Sequence, residues 1–341
     1  AVLNISAGKV VCISGELDNI GDANGFNNPG PIPLIEELAM TIRKKRAFPV
    51  VEISTTNLQQ RFFREISDAC WELPNSYYLQ WVKALDCIID VGWQNNPSVF
   101  SDAPQEQLVI LSRYSREFHD IIEREGKKVM YLGFPTQSLA TYWNISYDVL
   151  EKAYYESLNC DYKRLTDIAG QLNRILHHTS GLYIENGENR LDFSLVKSSA
   201  NEAKLFESNH IVMPAGHLSW RTDSLHGVFQ AEHVYYNNTI WHNVEVLFNQ
   251  DVIEVVRFAD ENKGNNKLQN VLMNADNDIH FALGINDKLH QYTGCAHFDK
   301  VRNGGVMLIS KDVSGEPLIL FNRGYIKSND FDNIKGDIIY V

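Results

Sequence analysis

The sequence predicts an α/β domain with a mostly parallel sheet over residues 1–155, followed by an α+β domain rich in antiparallel sheet over residues 156–341. Short apolar runs alternate with helical patterns through the first half, which is typical of a parallel sheet covered by helices. Farther along the chain, alternating polar and apolar segments follow one another, which is typical of antiparallel strands. The chain has 341 residues and 44% hydrophobic content, enough to form two cores.

The first half reads as strands and helices in turn. The predicted elements are strand 9–17, helix 34–47, strand 48–55, a helical region over 58–85, strand 86–93, a helix ending at Gly126 and strand 129–134. None of these strands is followed by a G-x-G-x-x-G or G-x-x-x-x-G-K-[ST] motif, so the pattern does not indicate a nucleotide site.

The second half begins with a long helical stretch and continues as strands. The predicted elements are a helical region over 146–180 and strand segments 181–186, 190–196, 233–259 and 304–311. The two histidines at 177 and 178 fall at the end of the helical region, where imidazole complements the helix dipole.

Charge and cysteine content limit the classes of partner. The sequence has 31 basic and 43 acidic residues and a net charge of −12, which argues against nucleic acid as a partner. Five cysteines without a C-x-x-C pair favour a reducing compartment, so we expect a cytoplasmic protein. No apolar stretch approaches the length of about 20 residues that a membrane helix needs. A homodimer is the default expectation for an oligomer.

The stretch GCAHFDKV (294–301) places His297 and Asp299 two residues apart. On a strand these side chains share one face and can hold an ion between them, although an ordinary exposed strand shows the same pattern. Eight of the eleven histidines lie from His210 to His297, and His280 precedes His297 by 17 residues, which we interpret as a hairpin.

Residues 8–299 carry an ordered set of segments that resembles a known family. The segments are FPTQSLATYWNIS (134–146), NRLDFSLV (189–196), MPAGHLSWRTDSLHG (213–227), FALGIN (281–286) and GCAHFD (294–299). The family is that of the thermophilic metallo-aminopeptidases of the aminopeptidase T and S type. The resemblance implies the aminopeptidase fold and a two-metal site built from two glutamates, a G-T-x-H histidine and the H-x-D pair.

This sequence departs from the peptidase pattern at three places. His217 and His280 stand at the two glutamate positions, and the interval 287–293 lacks the G-T-x-H element. A two-metal hydrolase needs carboxylates to bridge its ions, so the dinuclear site is not expected here. The pattern is more similar to the 2,5-dihydroxypyridine dioxygenases of the same fold, in which a histidine and an H-x-D pair bind one Fe(II).

The dioxygenase resemblance implies that His280, His297 and Asp299 are metal ligands. Two histidines and a carboxylate on one face of Fe(II) leave room for a chelating substrate and O2. The same ligands also accept Zn(II), Mn(II) or Ni(II), so the donor set does not settle the identity of the metal.

Five further residues are candidates for the site. His217 has three open roles, as a fourth ligand, as a catalytic base beside the metal or as a core histidine. Arg221 and Trp220 are candidates for holding a planar anionic substrate, with a surface arginine and a core tryptophan as the alternatives. His226 is a candidate for the substrate pocket, and Tyr292 for donating a hydrogen bond to bound oxygen.

The favoured interpretation is a cytoplasmic, mononuclear non-haem Fe(II) oxygenase that acts on a small metal-chelating substrate with O2. Two alternatives belong to other classes. One is a hydrolase similar to the metallo-aminopeptidases, and the other is an inactive relative that binds a ligand.

Overall fold

The computed structural model describes residues 3–17, 30–71, 76–92, 96–100, 103–179, 181–198, 201–206, 209–236, 239–259, 265–312, 317–322 and 325–328. The chain divides into two units, the first of Ala1–Tyr154 with Phe206–Met213, and the second of Tyr155–Leu205 with Pro214–Val341. Within the described part of the chain, no helix has both the length and the apolar character needed to cross a bilayer.

The first unit contains a five-stranded parallel sheet with the strand order β2-β1-β3-β4-β7. Its strands are β1 (Val10–Leu17), β2 (Phe48–Thr55), β3 (Cys87–Asp90), β4 (Lys128–Tyr131) and β7 (His210–Val212). Its helices are α1 (Ile32–Lys44), α2 (Thr56–Glu65), α3 (Asp68–Trp71), α4 (Ser76–Ala84), the 3₁₀ turn Pro97–Phe100, α5 (Gln105–Arg124), α6 (Gln137–Tyr142) and the first part of α7 (Tyr147–Leu158).

The sheet forms because its central strands are apolar on both faces. Cys12 on β1, Ile88 on β3 and Val129 on β4 are buried together with Ile122 of α5. Parallel strands covered by helices on both faces need such continuous apolar runs. The predicted parallel sheet is therefore confirmed.

One strand of this sheet returns from far along the sequence. β7 lies beyond the single boundary expected near residue 155, yet it pairs with β4 through Val129 and His210. The segment is only three residues long, too short for its pattern to identify it as a strand. The first unit is thus made of two separate pieces of chain.

The second unit contains a nine-stranded sheet whose pairings are antiparallel. Its strands are β5 (Leu182–Asn186), β6 (Asn189–Leu195), β8 (His217–Tyr236), β9 (Thr239–Asn249), β10 (Val252–Phe258), β11 (His280–Gly284), β12 (Val306–Lys311), β13 (Pro317–Asn322) and β14 (Tyr325–Ser328). Its helices are the end of α7, α8 (Tyr162–His178), α9 (Asn265–Met273) and α10 (Ala296–Asp299).

The long strand β8 separates a core face from an outer face. Leu218 and Trp220 lie in the core with Phe281 and Leu283 of the neighbouring strand β11. Because side chains alternate along a strand, His217 and its alternate neighbours point to the opposite side. This outer face carries three of the candidate functional residues, His217, Arg221 and His280.

Two glycines, Gly216 and Gly284, allow close backbone contacts that set the path of the chain after β11. Gly216 has φ of +131°, and a Cβ there would lie 2.8 Å from the Asn286 Cβ. Asn286 is buried, and its amide donates to the carbonyl oxygens of Ser157 and Ala215, each at 2.9 Å. A Cβ on Gly284 would overlap the carbonyl oxygen of Arg302. The matched segments MPAGH and FALGIN therefore meet, and the chain after residue 286 returns to pack against β11.

Candidate functional site

The outer face between β8 and β11 holds His217, Ser219 and Arg221 from one strand and His280 from the other. His280 lies directly opposite Arg221, and Gly284 lies opposite His217. The Ser219 hydroxyl and His280 Nδ1 are 3.1 Å apart and share a hydrogen bond. We call these four residues the outer-face cluster.

An acidic side chain already lies at the exposed end of the outer-face cluster. One carboxylate oxygen of Asp278 is 2.8 Å from Arg221 Nε and 3.7 Å from His280 Nε2. The Arg221 backbone N–H also donates to the Asn201 side chain at 2.6 Å, which anchors this end of β8. Arg221 therefore holds a carboxylate at this end of the cluster, with the His280 ring nearby.

The other end of the outer-face cluster is half-buried and has Lys300 as a neighbour. Burial, together with the smaller effects of the Lys300 and His280 charges, lowers the pKa of His217 to about 3. Burial also lowers the pKa of Lys300, while the nearby Cys295 thiol acts in the opposite direction. Nε2 of His217 is buried and has no hydrogen-bond partner among the described residues. Such an orphaned polar atom is rare in folded proteins and needs an explanation.

The H-x-D stretch is helical, so its predicted strand is wrong. His297 and Asp299 lie in the four-residue helix α10, where the Phe298 and Asp299 N–H groups donate to the Cys295 carbonyl. Residues two apart on a helix point in nearly opposite directions, so the pair does not share a face. The predicted hairpin from His280 is wrong too, because β11 pairs with β12 and β8.

The Asp299 carboxylate accepts hydrogen bonds from the loop that precedes α10. One oxygen accepts hydrogen bonds from the Thr293 N–H at 2.8 Å and the Thr293 hydroxyl at 2.9 Å. The other accepts from the Gly294 N–H at 3.0 Å and the Tyr235 hydroxyl at 2.9 Å. Burial raises the pKa of the Asp299 carboxyl, and these hydrogen bonds act against the rise. With two donors on each oxygen, the carboxylate has no lone pair left for a metal.

The structure does not assemble the metal triad expected from the resemblance. Among the residues it describes, no three histidine, cysteine or acidic side chains lie close enough to hold one ion. The groups that lie beside His217 and His280 are Lys300, Ser219 and Asp278; an ammonium group repels a cation, and the Asp278 carboxylate is already paired with Arg221. Among the described residues, His280, His297 and Asp299 therefore do not come together as a site for Fe(II) or for the other divalent metals considered.

Two other predicted substrate contacts lie away from the outer-face cluster. Trp220 is 3% exposed, stacks on Phe281 and donates its indole N–H to Asn173 at 2.8 Å, so it is a core residue. Strand alternation turns it away from Arg221, which corrects the prediction that both hold one substrate. His226 lies farther along β8, opposite Asn249 of β9. The structure thus places only Arg221 of these three beside His280.

Tyr292 belongs to a second group on the same sheet face. Its ring stacks on His233 with the centroids 4.2 Å apart. Burial raises the pKa of its hydroxyl, and the neighbouring Tyr235 acts in the opposite direction. Tyr292 therefore lies beside the Tyr235–Asp299 hydrogen bond, and the part of the chain that the structure describes places no group of metal ligands next to it.

Sequence reasoning missed three residues that shape the outer-face cluster. These residues are Ser219, Asp278 and Lys300. Ser219 had a detectable signal, because it stands midway between His217 and Arg221 and so shares their face of a strand. Lys300 had none, because its position beside His217 depends on the return of the chain after residue 286.

Comparison with known proteins gives a likeness of fold. No protein-family model matches the chain, and no curated protein matches it either. Among solved structures, the chain is similar to wild-type AmpT from Thermus thermophilus, with a TM-score of 0.61 and 11% sequence identity. The match covers 90% of this chain and 82% of AmpT. The parallel-sheet domain followed by an antiparallel-sheet domain is therefore the AmpT fold.

Proposed function

We propose that this chain is a ligand-binding protein on an aminopeptidase-T-like fold, which takes a small carboxylate-bearing molecule at the outer-face cluster without a bound metal. The proposal develops the second alternative from the sequence, an inactive relative that binds a ligand, and adds that the ligand carries a carboxylate. The observation that carries the proposal is the buried Nε2 of His217, which has no hydrogen-bond partner among the described residues.

The surrounding groups favour an anion over a cation or a neutral ligand. Lys300 lies close enough to His217 to lower its pKa, and a carboxylate between them would accept hydrogen bonds from both. The contact of Asp278 with Arg221 supports the same preference, because a carboxylate of the chain itself is already held there. A ligand carboxylate loses its hydrogen bonds to water when it binds, and charge-assisted hydrogen bonds to the protein would replace them.

The Fe(II) oxygenase and the metallo-hydrolase have less support. The metallo-hydrolase requires acidic ligands at the positions that carry His217 and His280, and both enzymes require the H-x-D aspartate to turn toward the metal. The hydrogen bonds of Asp299 to Thr293, Gly294 and Tyr235 oppose that movement. The likeness to AmpT supports the fold and leaves the activity open.

Thermal unfolding with paired ligands tests the proposal. Benzoate and succinate should raise the melting temperature, because a ligand that binds only the folded state stabilises it, whereas benzamide and succinamide should not. His217→Leu should abolish the response. His178→Ala, at the end of α8, is the matched control and should keep it. An equal response to the acids and the amides, or an undiminished response in His217→Leu, would refute carboxylate binding at this face.

A metal assay separates the proposal from the oxygenase. Protein stripped of metals and mixed anaerobically with Fe(II) should bind no equivalent of iron that depends on His280, and it should take up no O2 with a chelating substrate. Loss of a stoichiometric iron in His280→Ala, with the fold intact by circular dichroism, would restore the oxygenase interpretation.

A further inference from the structure

A pair of histidines lies on the outer face of the second sheet, apart from the residues discussed above as predicted ligands. His233 on β8 and His242 on β9 are directly opposite in the strand register. Their Nδ1 atoms are 2.9 Å apart, and their rings are nearly perpendicular, at 86°. His242 is exposed and His233 is half-buried, so solvent reaches the pair from the His242 side.

The local backbone explains why both rings face outward. Ala231 and Val244 are core residues, and so are Val234 and Trp241 a few positions away. Ala231 and Val234 are three residues apart, so the strict alternation of core and outer side chains along β8 is broken between them. The pairing of β8 with β9 is distorted at this point. Asn243 has φ of +52°, in the left-handed region, which marks this distortion. The result leaves His233 and His242 together on the side opposite the core.

Aromatic packing holds the ring of His233 in place. Tyr292 stacks on it with centroids 4.2 Å apart and planes 19° apart, and Phe321 lies nearly parallel at 6.2 Å. A ring held in this way loses little freedom when it binds a ligand, which lowers the entropic cost of binding.

We propose that His233 and His242 form a surface site for a divalent transition metal, bound through their two Nδ1 atoms. Imidazole nitrogens lie about 2.0–2.1 Å from such a metal, so two of them at right angles are separated by about 2.9 Å. The observed separation matches this bite. Right-angled nitrogen ligands are typical of Cu(II) and Ni(II), and Cu(II) binds such donors most strongly. Water or a ligand from solution would complete the coordination.

Copper titration of the full chain, without a histidine tag and stripped of metals, tests the site. Wild-type protein should bind one tight equivalent of Cu(II), measured against a coloured chelator, with an electron paramagnetic resonance spectrum of nitrogen ligation. His242→Ala and His233→Gln should each lose this equivalent. His226→Ala and His280→Ala should keep it, because one is an exposed histidine on the same strand and the other belongs to the outer-face cluster.

His233 is half-buried, so its replacement can disturb the fold, whereas replacement of the exposed His242 should not. The His242 variant therefore tests metal binding in a folded protein. His242 is exposed, so its replacement should leave the circular dichroism spectrum and melting temperature unchanged. If folded His242→Ala retains the tight Cu(II) equivalent, or if wild-type protein binds none, the pair is only a hydrogen-bonded contact and the metal site does not exist.

Discussion

The Tyr235 hydroxyl donates a hydrogen bond to the Asp299 carboxylate at 2.9 Å, joining the long strand β8 to the loop before α10. This contact gives the H-x-D aspartate a structural role in place of the metal-binding role that its sequence context indicates. Both residues are buried, so the contact lies inside the second unit.

Asp299→Ala should destabilise the protein strongly. Removing the carboxylate leaves the buried donors of Thr293, Gly294 and Tyr235 without their acceptor, and unsatisfied donors of this kind cost about 1–3 kcal/mol each. We expect the free energy of unfolding, measured with urea, to fall by about 3 kcal/mol or more. Asp278→Ala removes an exposed carboxylate that pairs with Arg221, and it should change the free energy of unfolding by less than about 1 kcal/mol. A loss in Asp299→Ala as small as in the control would contradict the structural role.

Gly284→Ala should destabilise the second unit, because its Cβ would overlap the Arg302 carbonyl oxygen where the returning chain packs on β11. Forced overlap in a packed interior costs about 1–3 kcal/mol. Gly170→Ala is the control, since Gly170 lies in helix α8 with its nearest neighbour 3.9 Å from the new Cβ. That change should stabilise the protein by up to about 1 kcal/mol. Urea unfolding of the two variants should therefore shift in opposite directions.

Trp220→Phe should lower stability and leave the carboxylate response unchanged. The variant loses the hydrogen bond to Asn173 and part of the stacking on Phe281, which together are worth about 1–3 kcal/mol. Thermal unfolding with and without benzoate separates the two effects. A lower melting temperature with an intact benzoate shift is expected, and a lost shift in a folded variant would place Trp220 at the ligand.

Thiol reactivity should distinguish one cysteine from the others. Burial raises the pKa of Cys12 and Cys295 to about 12 and that of Cys87 to about 11, so these thiols stay protonated and shielded at pH 8. Cys70 is exposed, and Cys160 is half-buried with a raised pKa. Ellman's reagent should react with one thiol rapidly, and Cys70→Ser should remove that fast phase. Rapid reaction of two or more thiols in the folded protein would contradict this burial pattern.

The fold was more predictable than the site because the spacing of apolar residues along the sequence reflects which side chains are buried. Apolar runs such as that of β3 identify the parallel strands without any knowledge of their neighbours. The H-x-D stretch shows the limit of this approach. Four residues suit a strand or a helix equally well, and the helix is favoured by contacts of Asp299 with Thr293 and with the distant Tyr235. Sequence spacing also could not place Lys300 beside His217, because their proximity depends on tertiary packing.

The late return of β7 has a consequence for the order in which the protein can fold during synthesis. Tyr131 of β4 and His210 of β7 are neighbours although they are 79 residues apart in sequence. The first sheet therefore lacks its edge strand until the ribosome has made that later segment, and β4 remains unpaired on that side in the meantime. Contacts between distant residues form slowly, so the nascent chain should be most prone to aggregation in this interval.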